Sequence, residues 1–489
     1  MPNALDLHMR IATIFLLTTL SLTACAPASA TGESHPGQLA RNPDTLLAIL
    51  ASTSTPDESR QHADALLVRQ SGKGDPARLA VLEQLLYAPG HSDAMRIYAM
   101  DQLADASPAR AGHALELYLP RFEGPVLDHG CQLAVTLGDA RLIAPLARSL
   151  AQTVKVRGQA PEELRARPEW AAIQKLAGKD PAEAMYDLIN SSTDQSARIA
   201  ALDVLHVLQS PDAIAARLGK MERHDPWLDD LRWYLGLFNT PPVGATESLW
   251  MMYLHRPEFA ALVARAAEHH RLLLKNPDYV FAPRFIAVLA YTDDATITAG
   301  KARLLAELSQ RLATLAHVNR TPQYEGAPDD IDESLKANEQ KLSLCDLFAI
   351  RLLLNGLSDS ANIAELHRQG LDDLSDTTTE HGGLLSLQDI NSPRLLMTLY
   401  PPYYASNDFE YISSDKLLEQ TAAGIAEYHF HFQEIHNADR AGPGTGDLGY
   451  VRAQHLNGVV ITSIDTRKIN IDYYTPDGAV VDLGVYEVK

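Results

Sequence analysis

The spacing of apolar residues changes once along this chain, and that change limits what it can fold into. Up to about residue 358, apolar residues recur every three to four positions, the period of a helix buried along one face. Ala77–Leu86, Met95–Leu103, Gly138–Ala147 and Ser196–Leu205 each gather Ala and Leu on one broad face. Short polar turns such as Ala104–Pro108 separate them. After residue 360 the chain adopts a period of two in Lys468–Tyr474, flanked by the apolar runs Val459–Ile464 and Val480–Tyr486. The turn Thr475-Pro476-Asp477-Gly478 joins the last two runs as a hairpin. The expected protein is therefore multidomain, an all-α region followed by a compact α+β domain.

Within the helical part, residues 42–240 resemble degenerate HEAT-like repeats, in which stacked helix pairs bury one another's faces. An array of that solenoid-like kind binds a protein or peptide partner more often than it does chemistry. Residues 241–358 stay helical without the repeat, with helices expected over Pro257–Leu274, Arg303–His317 and Leu342–Leu354, the last ending at Asn355-Gly356. His269 and His270 are adjacent on the first of these. Neighbours on a helix point about 100° apart and do not share a metal easily, so both are expected on the surface. Ile363–Leu371 reads as one more helix, and residues 360–489 form the α+β domain.

Composition sets the surroundings. The formal charge is -20, from 62 acidic and 42 basic residues, and such a surface repels phosphate backbones and excludes nucleic acid as a partner. Three cysteines are too few for a disulfide framework. Arg10 precedes the apolar run Ile11–Leu20, which is too short to span a bilayer and closes on Leu22-Thr23-Ala24-Cys25. This ending resembles the bacterial lipobox, which implies a signal peptide over 1–24 and diacylglycerol on Cys25. An ordinary signal cut near Ala30 is the alternative. Ala26, where an aspartate would resemble an inner-membrane retention signal, favours the outer membrane, with the protein facing the periplasm. Residues 25–41 read as a flexible tether. Cys131 and Cys345 lie in apolar helical patterns and are expected as buried thiols, a single disulfide between them being the alternative.

His429 and His431 stand two apart in Ala426-Glu427-Tyr428-His429-Phe430-His431-Phe432, among aromatics that favour a strand. In a strand both imidazoles project from one face. Asp447 follows the glycine-rich loop Gly442-Pro443-Gly444-Thr445-Gly446, and two histidines with one carboxylate make an open-sided zinc set. His436 and Asp439 are alternative ligands in the spacer, expected instead at the surface.

With Glu380-His381-Gly382-Gly383-Leu384-Leu385 upstream, these stretches together resemble the JAB/MPN (JAMM) metalloprotease family. That family carries an acidic residue before Gly-Leu-Leu, then His-x-His on a strand, then a Pro-Ser-x-x-Asp loop opening a helix. The likeness covers roughly the last 125 residues. It implies zinc held by His429, His431 and Asp447, with Glu380 as the general base that takes a proton from water and returns it to the leaving amine. Gly444 departs from the pattern, because it stands where the family has a serine that stabilises the oxyanion. The resemblance thus leaves two readings: an envelope-anchored zinc-dependent amide or isopeptide hydrolase, or a lipoprotein whose last domain binds without turnover.

Overall fold

The structure is a computed structural model and describes residues 42–157, 160–318, 332–389, 392–405 and 411–488. The expected signal 1–24, Cys25 and nearly all of the tether 25–41 lie outside the described residues. The chain is helix-rich up to Ser375 and ends in a six-stranded mixed sheet. It divides into two compact units, Met1–Ser107 and Pro108–Lys489. Among the described residues no helix is long and apolar enough to cross a membrane.

The first unit comprises the helices Pro43–Ala51, Asp57–Ser71, Pro76–Tyr87 and Asp93–Ala106. Their starts are written in the sequence. Asn42, Asp75 and Ser92 each accept a backbone N–H of the first turn, and proline occupies the first position of two of them. Leu46, Leu50, Leu67, Leu82, Leu85, Met95 and Leu103 form the core. Arg78 and Asp64 are buried with it and pair bidentately at 2.6 and 2.7 Å, while Arg78 also donates to Gln102 and Lys73 O and Asp64 accepts from Tyr98. A buried charge pair is tolerated only when satisfied in this way.

In the second unit the strands are β1 (Gly382–Asp389), β2 (Ser392–Tyr400), β3 (Ala426–His431), β4 (Gly458–Asp465), β5 (Lys468–Tyr474) and β6 (Val480–Glu487). Their order is β2-β1-β3-β4-β5-β6. Every neighbouring pair is antiparallel except β3 and β4, which run parallel. A parallel pair needs a crossover, and a helix supplies it here. Among the helices around the sheet are α1 (Gly244–Leu254), α2 (Leu344–Leu357), α3 (Ser360–Ser375), α4 (Asp415–Gln420) and the crossover helix α5 (Thr445–Gln454).

Period-two alternation in β3 sends Tyr428 and Phe430 to one face and Glu427, His429 and His431 to the other. The aromatic face meets α2 and α3. Tyr428 donates to Gln369 Oε1 at 2.6 Å, Tyr473 donates to Asp346 at 2.8 Å, and the Phe432 ring lies against Gly370. A Cβ at position 370 would sit 2.4 Å from that ring, so only glycine lets the helix approach so closely. On the opposite face, Leu417 of α4 packs with Leu384 and Tyr400. Helix α1 clasps the outside of that layer. Trp250 Nε1 donates to Leu418 O at 2.8 Å, Thr246 to Gln454 at 2.6 Å, and Glu247 meets His455 at 3.0 Å. The helices from Pro108 onward and the sheet thus share one packed unit.

Two expectations are corrected. His269 and His270 are buried, at 2% and 3% exposure, not on the surface. His269 bonds Leu289 O at 2.7 Å and faces Asp294, while His270 bonds the Tyr279 hydroxyl at 2.7 Å and lies edge-on to Phe281. The ring carbons find apolar neighbours and the nitrogens find partners, which is how a core accepts histidine. Asn355-Gly356 does not stop its helix, which runs to Leu357. Gly356 is there for proximity, since a Cβ would lie 2.0 Å from Leu395 of β2. Cys131 and Cys345 are free and buried, as expected.

Candidate metal centre

Strand register brings the site together. Gly382 of β1 stands opposite His429 of β3, and Phe430 N donates to His381 O at 3.2 Å just beyond the last paired residues. Continuing that antiparallel register places Glu380 opposite His431, on the face that carries both imidazoles. Helix α5 then delivers Asp447 from its first turn, where Oδ2 accepts the Gly444 N–H at 2.7 Å. A carboxylate in that turn also suits the helix dipole.

The donor atoms converge. One ligand atom each from Glu380, His429 and His431 lie within 4.8 Å of one another. Asp447 Oδ1 is 3.5 Å from His429 Nε2, Asp447 Oδ2 is 3.8 Å from His431 Nε2, and Glu380 Oε1 is 3.9 Å from His431 Nε2. Ligands of a tetrahedral ion with bonds of about 2.0–2.1 Å lie about 3.3 Å apart. The Asp447 and His431 separations therefore exceed those of a closed site by only a few tenths of an ångström. Either carboxylate can serve as the third ligand. His436 and Asp439, the alternatives, are exposed in the loop after β3 and are not in the cluster.

The imidazoles are prepared for a cation. His431 Nδ1 lies 2.8 Å from Arg440 O, a contact that requires the proton on Nδ1 and leaves the Nε2 lone pair towards the cluster. His429 Nε2 is buried without a hydrogen-bond partner, with only the ion-pair contact to Asp447 beside it. The residues present fit a divalent cation.

Electrostatics agree. Burial pushes the Glu380 carboxyl up to about 8, with His429 opposing and Asp447 and Asp373 adding to the rise. Burial alone would lower His429, but Asp447, Glu380 and Glu427 outweigh it and carry its pKa up to about 9. Asp447 would be raised by burial, yet His429 and His431 hold its carboxyl well below the usual range. In the metal-free protein a proton on His429 therefore stands where a metal's charge would. Perturbed titrations of this kind cluster at functional sites. Asp447 is the most exposed of the four, its side chain 27% exposed against 4% for Glu380.

Sequence reasoning missed the partners around these four residues. Gln433 Nε2 donates to Glu380 Oε1 at 3.2 Å, and Asn437 Nδ2 holds Gln433 Oε1 at 3.0 Å. Tyr474 brings its hydroxyl to 3.5 Å from His429 Nδ1 by lying over Gly458, where a Cβ would clash with the ring. Glu427 is 6% exposed, takes hydroxyl bonds from Ser413 and Tyr450, and is pushed up to about 7 chiefly by burial. Only Glu427 had a legible signal, because it stands two before His429 on the same strand face. No known protein family, no curated protein and no solved structure matches this chain.

Proposed function

We propose that this protein is a metal-dependent amide or isopeptide hydrolase, with zinc as its metal and a last domain of the JAB/MPN kind. In this reading, HEAT-like helices present that domain at a bacterial envelope, where a lipid on Cys25 anchors it to the outer membrane. The observation that carries the reading is that Glu380, His429 and His431 bring one ligand atom each to within 4.8 Å of one another, with Asp447 beside both imidazoles at 3.5 and 3.8 Å. Zinc in such a site acidifies a water and polarises a carbonyl. The two imidazoles and Asp447 hold the ion, and Gln433 keeps one oxygen of Glu380 fixed. Glu380 accepts the proton that the attacking water loses and passes it to the leaving amine as the C–N bond breaks. The exposed edge at Asp447 is where a substrate carbonyl enters.

One observation favours a second reading. Gly444, the residue in the family's serine position, has no hydroxyl to offer an oxyanion, and loss of one such donor costs roughly two to three decades of rate. A metal-holding module that binds without turnover would carry that glycine at no loss. Metal content and hydrolysis of peptide and isopeptide substrates, measured on the chain from residue 26, separate the two. The hydrolase requires stoichiometric zinc that His429→Ala loses, and hydrolysis that Glu380→Gln loses. Full hydrolysis in either variant ends the proposal, and zinc without hydrolysis establishes the module.

A further inference from the structure

The buried carboxylate of Glu427 has no part in the chemistry above. It lies on β3 with its neighbours His429 and His431 on the same face. Its two oxygens are taken by hydroxyls, Oε1 by Ser413 and Oε2 by Tyr450 at 3.1 Å. Burying a carboxylate costs several kcal/mol even when it is hydrogen-bonded, so an apolar residue would make a more stable strand here. The identity of one partner suggests what the cost secures. Tyr450 is three residues after Asp447 on α5, and residues three apart on a helix face the same way. The same helix face therefore meets the same strand face twice, Asp447 against His429 and Tyr450 against Glu427. The second contact is a strut beside the first.

We propose that the Glu427–Tyr450 bond sets how far Asp447 reaches towards the imidazoles, which makes both of them positioning residues for the metal centre. Asp447 takes the Gly444 N–H at its own end of the helix and faces His429 and His431, and the loop before it is rich in glycine. The far end of α5 is held by Thr246 on Gln454, so without the strut the freedom falls to its first turn, and Asp447 shifts relative to both Nε2 atoms. Tyr450→Phe keeps the ring and removes only the hydroxyl, which meets Glu427 and lies beside Ser413. The proposal rests on the metal-centre reading alone and is independent of whether the site turns over.

The test is zinc affinity of the full chain, measured by competition with a chromophoric chelator, for Tyr450→Phe and Glu427→Gln. Removing a partner that orients a ligand lowers metal affinity about 10- to 100-fold, and that loss is expected for Tyr450→Phe. Glu427→Gln, which keeps an oxygen for the tyrosine, is expected to lose less. The control is Val451→Ala, which opens a small cavity under the same helix but leaves the strut in place. If Val451→Ala lowers the thermal midpoint of the metal-free protein as much as Tyr450→Phe yet keeps wild-type zinc affinity, the strut is supported. If Tyr450→Phe binds zinc as the wild type does, or both variants lose affinity in proportion to stability, the strut is overturned. A wild-type chain that binds no zinc overturns the metal-centre reading itself, a result that cannot be mistaken for either.

Discussion

Loading the site with zinc should expel close to two protons at neutral pH. His429, carried up to about 9, and Glu380, pushed up to about 8, both hold a proton at pH 7 in the metal-free protein, whereas Asp447 is already ionised. A ligand imidazole must be neutral, and a carboxylate beside a divalent ion ionises. At pH 7 each group is mostly protonated, so up to about two protons are released. Removing them costs on the order of a few kcal/mol. The apparent affinity should therefore rise about a hundredfold between pH 6 and pH 7. Titration calorimetry at pH 7, in buffers of differing ionisation enthalpy, reads the proton count as the slope of observed heat. Glu380→Gln should lower that count by about one, and His436→Ala, changing an exposed ring, should leave it alone. A wild-type count below about one half would refute the reasoning, as would an unchanged count in Glu380→Gln. The same shifts govern the metal-free fold. The raised His429 pKa contributes stability that is complete below about 6.5 and is lost as pH rises through about 9. Glu380 acts in the same direction, since its neutral form is the one the fold accepts, and its contribution fades as pH rises from about 4.5 to about 8.

Gly370→Ala should destabilise the protein by about 1–3 kcal/mol, because its Cβ would press on the buried Phe432 ring, and a thermal midpoint equal to wild type would show that α3 can move away freely. Trp250→Ala should cost about 3–5 kcal/mol and lower zinc affinity as well, since it frees α4 from α1, and both are read from chemical denaturation with and without zinc. Cys131 and Cys345 should resist iodoacetamide in the native protein and react once it is unfolded, as burial pushes both thiols well up; modification under native conditions at the rate of a free thiol would contradict their burial.

What the sequence could reveal was decided by the distance over which each signal acts. The helix-to-sheet change, the β4–β5–β6 run and the His429/His431 pair follow from period and turn chemistry, which a few neighbouring residues carry. Asn355-Gly356 misled for the same reason: read locally, Asn-Gly is a stop, but the glycine answers to Leu395, a residue of β2 far along the chain. His269 and His270 failed similarly, because a helix wheel says which way a residue points and nothing of what covers it. The site shows both limits at once. Its two histidines came from strand spacing, Asp447 from the glycine-rich loop and Glu380 from the family resemblance, yet the partners around them, Arg440 O behind His431, Tyr474 over Gly458 and Gln433 on Glu380, exist only after the strands are paired. The same holds for the clasp of α1 on α5, through Thr246 and Gln454, which ties the helical region to the helix that carries Asp447. A boundary near residue 360 is real as a change of period and absent as a break in packing, because secondary structure is specified locally and cores are not. Severed there, the last domain would expose the buried contacts that α1 and α2 make with it, so the cluster of Glu380, His429 and His431 depends on the whole of the second unit.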